Sequence, residues 1–419
     1  MKELNFIDLF CGIGGFHYAL TKKENPKLNK KNGFIYENES NIKCVLACDK
    51  DKECRKTYKD NFGLYPVEDV TKLETKDIPN FDILCAGFPC QPFSNSGNKK
   101  TFKDKRGNLF EEIIRIAKEK KPSFMFLENV KHILKVDNGI VFQTIMKKLK
   151  EINYKVNVQI LSPHQLGIPQ QRERVIFTCV RKDVYDSKYK NKGIFKENLT
   201  EDLKDFDFEL GLDENIKIKK IYEKKPDKKY NVDEDTMKVL DIWDEMIKKI
   251  DVKEKLSPTI LCKEFKTKTD TKDFKKLVKW KQEYIAKNKP IYKKYKKDWD
   301  KWYDKHKDFL NKREVYCKLE WQAGPKVKDD SIWNHFIQIR QSGIRVKKTK
   351  YFPTLVAIVQ TPIYGKKKRY ITPRECARLQ SFPDEFKINT NDKQAYKQFG
   401  NAVNVQVIQK IVKLVFKNF

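Results

Sequence analysis

A cysteine set between prolines is the first candidate for chemistry. Cys90 stands in Ala86-Gly87-Phe88-Pro89-Cys90-Gln91-Pro92-Phe93-Ser94-Asn95-Ser96-Gly97. It follows an apolar run, Phe81 to Cys85, that predicts a buried parallel strand. Ligands and reacting groups collect beyond the carboxyl ends of such strands. By itself the stretch has two readings: a turn with an inert buried thiol, or a nucleophile on a fixed backbone. Glu128 follows a second apolar run, Phe124 to Leu127. A carboxylate there is expensive to bury unpaired; its alternative is an acid at a helix N-terminus. Arg172 and Arg174 alternate with Glu173, so both arginines face one side of an extended segment.

The elements that must position these groups read as strands alternating with helices. Asn5 to Cys11 is an apolar strand that breaks at Gly12-Ile13-Gly14-Gly15, with a helix from Phe16 to Lys22. Strand, glycine turn and helix can cradle a nucleotide-like ligand, because small residues let backbone N–H groups approach it. The dinucleotide fingerprint needs a third glycine where His17 stands, so an NAD-type phosphate loop is not supported. A second strand ends at Asp49, where an acid commonly takes ribose hydroxyls, and a third is expected to end at Val67-Glu68-Asp69-Val70. Each acid has a solvated turn residue as its alternative. Helices are expected from Leu109 and over 140–151, and strands over 154–161 and 175–180. The loop from Ser94 to Gly107 carries Lys99, Lys100, Lys103, Lys105 and Arg106, and few apolar anchors.

The 419 residues hold 89 Lys and Arg against 58 Asp and Glu, a net charge of +31. Such a surplus points to a polyanion partner; Lys-rich codon usage is the plain alternative. The ten cysteines form no paired Cys-x-x-Cys knuckles, so no zinc site is expected and a reduced thiol population fits better than a disulfide frame. No apolar run reaches membrane-spanning length, and neither a signal peptide nor a membrane span is expected.

Taken together, these motifs resemble the DNA (cytosine-5) methyltransferases of bacterial restriction-modification systems. The resemblance covers residues 4–182 and 371–416. It rests on the turn at 8–15, Pro89-Cys90-Gln91, Glu128-Asn129-Val130 and Gln171-Arg172-Glu173-Arg174. Two later motifs complete it, Arg374-Glu375-Cys376-Ala377-Arg378-Leu379-Gln380-Ser381-Phe382-Pro383 and Gln398-Phe399-Gly400-Asn401-Ala402-Val403.

The resemblance implies an α/β fold: a Rossmann-like S-adenosylmethionine-dependent methyltransferase sheet with one reversed strand and an inserted, smaller target-recognition domain. It implies S-adenosylmethionine as methyl donor, no metal, and double-stranded DNA with a flipped-out cytosine as substrate. Cys90 would add to carbon 6 of the ring. Glu128 would mark and stabilise the ring nitrogen edge, and Arg174, with Arg172 nearby, would hold the carbonyl oxygen. For the donor it implies Phe10 against the adenine, Gly12, Gly14 and Gly15 shaping the turn, Asp49 on the ribose and Asp69 on the adenine amino group. Phe88, Leu109, Asn401 and Val403 complete that pocket. Gln91, Ser94, Ser96 and Arg106 would belong to the loop that closes on DNA. Two departures stand out: Lys50 occupies the position where the family often has an aromatic, and Asp49 replaces the usual Glu.

The expected organisation is 1–182 for the first part of the catalytic domain, 183–370 for target recognition and 371–419 for a return completing the catalytic domain. Residues 261–350 hold 27 Lys and Arg against 12 Asp and Glu. The aromatics of 273–312 fit a small core better than a base-stacking set. Ile332 to Gly343 is richest in groups that read base edges, namely Asn, Gln, Arg and Ser. Val405 to Phe416 reads as a helix with one broad apolar face, and the resemblance implies that it packs beside the first glycine turn. The resemblance further implies a monomer in a prokaryotic cytoplasm, beside a cognate restriction endonuclease. Two alternatives stand: the same chemistry on transfer RNA, although Cys262-Lys263-Glu264 departs from that branch's Cys-Phe-Thr signature, and a DNA-binding protein that has lost turnover.

Overall fold

The computed structural model describes residues 3–21, 23–24, 36–37, 41–89, 109–190, 218–250, 259–325, 330–355 and 360–416. The polypeptide divides into two compact units, one of Met1–Tyr222 with Pro373–Phe419 and one of Glu223–Thr372.

In the first unit, β1 (Leu4–Leu9) leads through the glycine turn into α1 (Gly15–Thr21), then β2 (Ile42–Cys48) and α2 (Lys52–Phe62). There follow β3 (Ile83–Gly87), α3 (Leu109–Lys120), β4 (Phe124–Val130), α4 (Ile140–Glu151), β5 (Tyr154–Leu161), β6 (Arg174–Arg181) and α5 (Lys182–Lys188). The sheet order is β2-β1-β3-β4-β6-β5. Strands β1 to β4 pair in parallel, and β6 runs antiparallel to both β4 and β5. That is the one reversed strand expected. Strand β2 lies on one side of β1 and β3 on the other, so the chain reverses its winding direction at β1. The carboxyl ends of β1 and β3 therefore flank the crevice where open α/β sheets bind ligands.

The buried faces explain why these segments form these elements. Phe124 to Leu127 is wholly buried, as expected of a central strand covered on both faces. Ile113, Ile116 and Ala117 of α3 recur at helical spacing and join the same core as Leu84, Ala86, Met125 and Leu127. Asp51 caps α2 by accepting from the Glu53 and Cys54 amides, and Gly63 closes it at φ 72°.

The third strand expected at 67–70 does not form. Val67 makes only an isolated parallel bridge to Cys48. Asp69 then turns the chain by capping Val70–Lys72, accepting from the Thr71 amide.

In the second unit, α6 (Glu234–Lys249), α7 (Lys279–Lys294) and α8 (Lys296–Leu310) accompany a sheet of β7 (Ile260–Leu261), β8 (Lys318–Gln322), β9 (Phe336–Arg340), β10 (Gly343–Lys347), β11 (Ile363–Tyr364) and β12 (Arg369–Tyr370). Its order is β12-β11-β9-β10-β8-β7. Trp243, Trp299 and Trp302 sit in one buried cluster with Leu319, Trp321, Ile337 and Val346, so those helical aromatics are core. Trp280 is instead exposed.

The chain returns to the first unit as α9 (Pro373–Leu379), α10 (Asp392–Asn401) and α11 (Val405–Phe416). The first unit extends past the expected boundary at 182. Tyr189 is fully buried and donates to the Val415 carbonyl, and Arg378 Nη1 donates to the Ile221 carbonyl.

Candidate active site

The glycine turn owes its shape to backbone angles that side chains resist. Gly12 has φ +53° and Gly14 φ +87°; a Cβ at Gly14 would meet Phe62 Cε2 at 2.2 Å. A Cβ at Gly15 would meet Val403 Cγ2 at 2.5 Å and the Val403 carbonyl oxygen at 2.9 Å. These contacts let α1 lie close to the segment joining α10 to α11. At Gly12 a Cβ would meet nothing within 4 Å, so this side of the turn is open.

Asp49 holds the turn from the end of β2. Its Oδ2 accepts from the Gly12 amide at 2.8 Å and its Oδ1 from the Asp51 amide at 2.8 Å. Burial raises its carboxyl above the usual range. Asp8 lies fully buried in β1. Burial drives its carboxyl well up, the Asp49 charge adds to the rise, and the His17 amide opposes it. Asp69 Oδ1 accepts from the Thr71 amide and hydroxyl at 3.0 and 2.8 Å, while Oδ2 stands 4.0 Å from Lys50 Nζ. The Thr71 hydroxyl is the main cause of its lowered pKa. Asp49 and Asp69 beside an open glycine turn disfavour a phosphate and favour a ligand offering hydroxyls and positive charge.

The second half of the site is built across β3, β4 and β6. Register pairs Gly87 with Glu128 and Glu128 with Ile176. Glu128 Oε1 accepts from Arg174 Nε at 2.9 Å. The pair is largely buried, with Arg174 and Glu128 side chains 16% and 10% exposed. Burial pushes the Glu128 carboxyl up, partly offset by the Arg174 and Arg172 charges.

Arg172 shares the alternation with Arg174 but does different work. It is 2% exposed, and its Nη2 donates to the Gly400 and Ala402 carbonyls at 2.9 and 3.0 Å. Burial and the Arg174 charge lower its pKa. It fastens the entry to β6 onto the returning chain. Both arginines and Glu128 line a cavity of about 10 Å³ closed by Val403 and Asn404, room for about one water.

The remaining residues divide. Phe88 turns its ring into the core, 5.3 Å from Phe110 and 6.5 Å from Phe177, so only its backbone faces the strand end. Leu109 is half-buried at the start of α3, and Phe10 is half-buried with φ 55°. Val403 seats against Gly15, whereas Asn401 is exposed at the end of α10. Cys90, Gln91, Ser94, Ser96 and Arg106 lie outside the described residues.

Asn129 belongs to the Glu128-Asn129-Val130 motif, and the sequence alone assigns it no role. Its Nδ2 donates to the Phe88 carbonyl at 2.9 Å and its Oδ1 accepts from the Val130 amide at 2.8 Å. It ties β4 to the backbone two residues before Cys90. An Asn beside the strand-end acid was the available signal.

The family model for C-5 cytosine-specific DNA methylases matches residues 4–417. The type II methyltransferase M.HhaI of Haemophilus parahaemolyticus is 29% identical over 411 residues, covering 98% of this chain and 94% of that protein. M.BanI of Aneurinibacillus aneurinilyticus is 30% identical over 449 residues, covering 99% and 96%. Among solved structures, Schizosaccharomyces pombe Dnmt2 superposes with a TM-score of 0.52 at 20% identity, covering 99% of this chain and 100% of that one. That likeness shows the fold.

Proposed function

Since the chain belongs to the C-5 cytosine-specific DNA methylase family, we propose that the Glu128–Arg174 pair and Cys90 together activate the cytosine that this DNA methyltransferase modifies. The observation that carries this reading is the 2.9 Å ion pair, held largely out of water across β4 and β6. It sits one strand from the segment leading to Cys90, by the Gly87–Glu128 register.

Carbon 5 of cytosine is a weak nucleophile. Addition of a Cys90 thiolate to carbon 6 makes an enamine whose carbon 5 can attack an electrophilic methyl group. A free thiol is only a few per cent ionised at neutral pH, so the proton must leave as attack proceeds. Addition places negative charge on the ring nitrogen and carbonyl. Glu128 donates a proton or a hydrogen bond to nitrogen 3, which its raised pKa favours. Arg174 orients that carboxyl and offers its remaining N–H groups to the carbonyl oxygen. Arg172 acts as a positioning residue. After transfer, loss of the carbon 5 proton lets Cys90 leave by elimination. Because the target lies within the base stack, the cytosine must swing out, at about a few kcal/mol.

S-adenosylmethionine supplies the electrophilic methyl on a sulfonium centre, and the residues fit it. Asp49 retains lone pairs for ribose hydroxyls, Asp69 Oδ2 can meet the adenine amino group, and the open side of Gly12 leaves room for the ligand. Phe10 would lie on the adenine. Lys50 spans to Asp69 in place of an aromatic, leaving that adenine face to an aliphatic stem. The names of the type II relatives support site-specific modification beside a companion endonuclease.

Transfer of tritiated methyl from S-adenosylmethionine to duplex DNA, with transfer RNA and Cys90→Ser enzyme in parallel, tests the reading. Label on DNA that vanishes in Cys90→Ser is expected. Label on RNA alone would overturn it.

A further inference from the structure

The second sheet has two unlike faces. Leu319, Trp321, Ile337, Ile344 and Val346 point one way, into the cluster with Trp243 and Trp302. Alternation sends their neighbours the other way: Glu320 and Gln322 on β8, Gln338 and Arg340 on β9, and Arg345 on β10. Register makes Arg345 the direct neighbour of both Gln338 and Glu320. An opposite face of solvated charges would need no further account. This one is not loose. Arg345 Nε donates to Glu320 Oε2 at 2.6 Å, and Arg340 Nε donates to Gln360 Oε1 at 3.0 Å. Gln338 Nε2 donates to the Gln360 carbonyl at 3.2 Å. Each guanidinium is thus gripped at Nε. Among the described residues no hydrogen bond is made by a terminal Nη of either.

That is the geometry of a prepared fork. Guanine presents two acceptors, O6 and N7, in the major groove, and a paired Nη edge meets them together. Holding Nε in advance reduces the rotamer freedom lost on binding. The two cations also lie close enough to repel: burial, then the Arg345 charge, hold Arg340 below its usual range. An acceptor-rich base edge would relieve that repulsion. Of the polar stretch 332–343, Asn334 and His335 bond Asp330 and Gln338 bonds the Gln360 carbonyl; Gln341 and Ser342 are exposed beyond β9, and Arg340 is the one guanidinium of the stretch.

Resting on the DNA methyltransferase reading, we infer that Arg340 and Arg345 read guanine edges in the recognition sequence, with Glu320 and Gln360 as the residues that position them. The test is bisulfite sequencing of DNA from methylation-deficient cells expressing the full chain, wild type or with Arg340→Ala, Arg345→Ala, Arg345→Lys or Glu320→Gln. The wild type should methylate a motif containing fixed guanines. Each arginine variant should relax one of them, with discrimination falling about tenfold or more, and Glu320→Gln should relax the Arg345 position more weakly. Arg345→Lys keeps the charge and loses the fork, so it decides the matter where the alanine variant does not fold. An unchanged motif with methylation lowered evenly would mean phosphate contacts and would overturn the inference, as would no change at all. Absence of 5-methylcytosine in the wild-type sample would remove the functional reading, and this inference with it.

Discussion

Glu128 and Arg174 show how burial sets a side chain's work. In water a carboxyl would be ionised at neutral pH; on β4 the Glu128 carboxyl is desolvated and its pKa rises despite two arginines. The group is then able to donate, and its activity should fall as pH climbs through the raised pKa. Glu128→Gln should therefore lose this alkaline limb from the kcat/KM profile, along with about 10²–10⁴-fold in rate. Arg174→Ala should cost about 10²–10³-fold in kcat with a smaller change in KM, measured in single turnover. Asp8 gives the matching stability prediction. Its folded pKa lies above the unfolded value, so its contribution is full at low pH and lost as pH rises through the folded pKa. Thermal melts of Asp8→Asn should show less of this alkaline destabilisation than the wild type.

At the scale of elements, the site depends on how closely α1 meets the returning chain. Gly15→Ala places a methyl 2.5 Å from Val403 Cγ2, and overpacking of this kind costs about 1–3 kcal/mol. Calorimetry should show a melting temperature lower by about 2–4 °C per kcal/mol, with weaker S-adenosylmethionine binding by titration. Most elements of this half were legible in the sequence because their strands are continuous apolar runs and their helices keep a clean three-and-four spacing. Leu109–Lys120, Ile140–Glu151 and Tyr154–Leu161 follow directly from that pattern. Val67–Val70 misled because an acid that caps a turn looks locally like a strand end. The sheet of the second unit was not legible, since strands such as Lys318–Gln322 alternate with charges and three of its members hold only two residues.

For the whole molecule, the decisive feature is that the polypeptide leaves the first unit and comes back. Arg172, on one side of the excursion, is fastened to Gly400 and Ala402 on the other. Sequence reasoning placed Arg172 beside Arg174 correctly on one side of the segment, yet the role of fastener could not be read, because its partners are backbone carbonyls some 230 positions away. A chain ending at Thr372 would lose the Gly400 and Ala402 carbonyls that this buried guanidinium bonds and should be insoluble or molten by near-ultraviolet circular dichroism. The net charge of +31 should make duplex DNA binding fall by about 10³-fold or more between about 50 and 200 mM salt. Fluorescence anisotropy across a salt series checks this.

The central claim is a transient bond between the sulfur of Cys90 and carbon 6 of the target base. Fluorine at carbon 5 removes the proton whose loss would release the enzyme, so a duplex carrying 5-fluorocytosine at the methylated position should become covalently trapped when S-adenosylmethionine is present. A shifted band surviving denaturing electrophoresis, with the adduct mapped to Cys90 by mass spectrometry, is the predicted result. Efficient methylation by Cys90→Ala enzyme, or no trapped complex from active wild type, would contradict it.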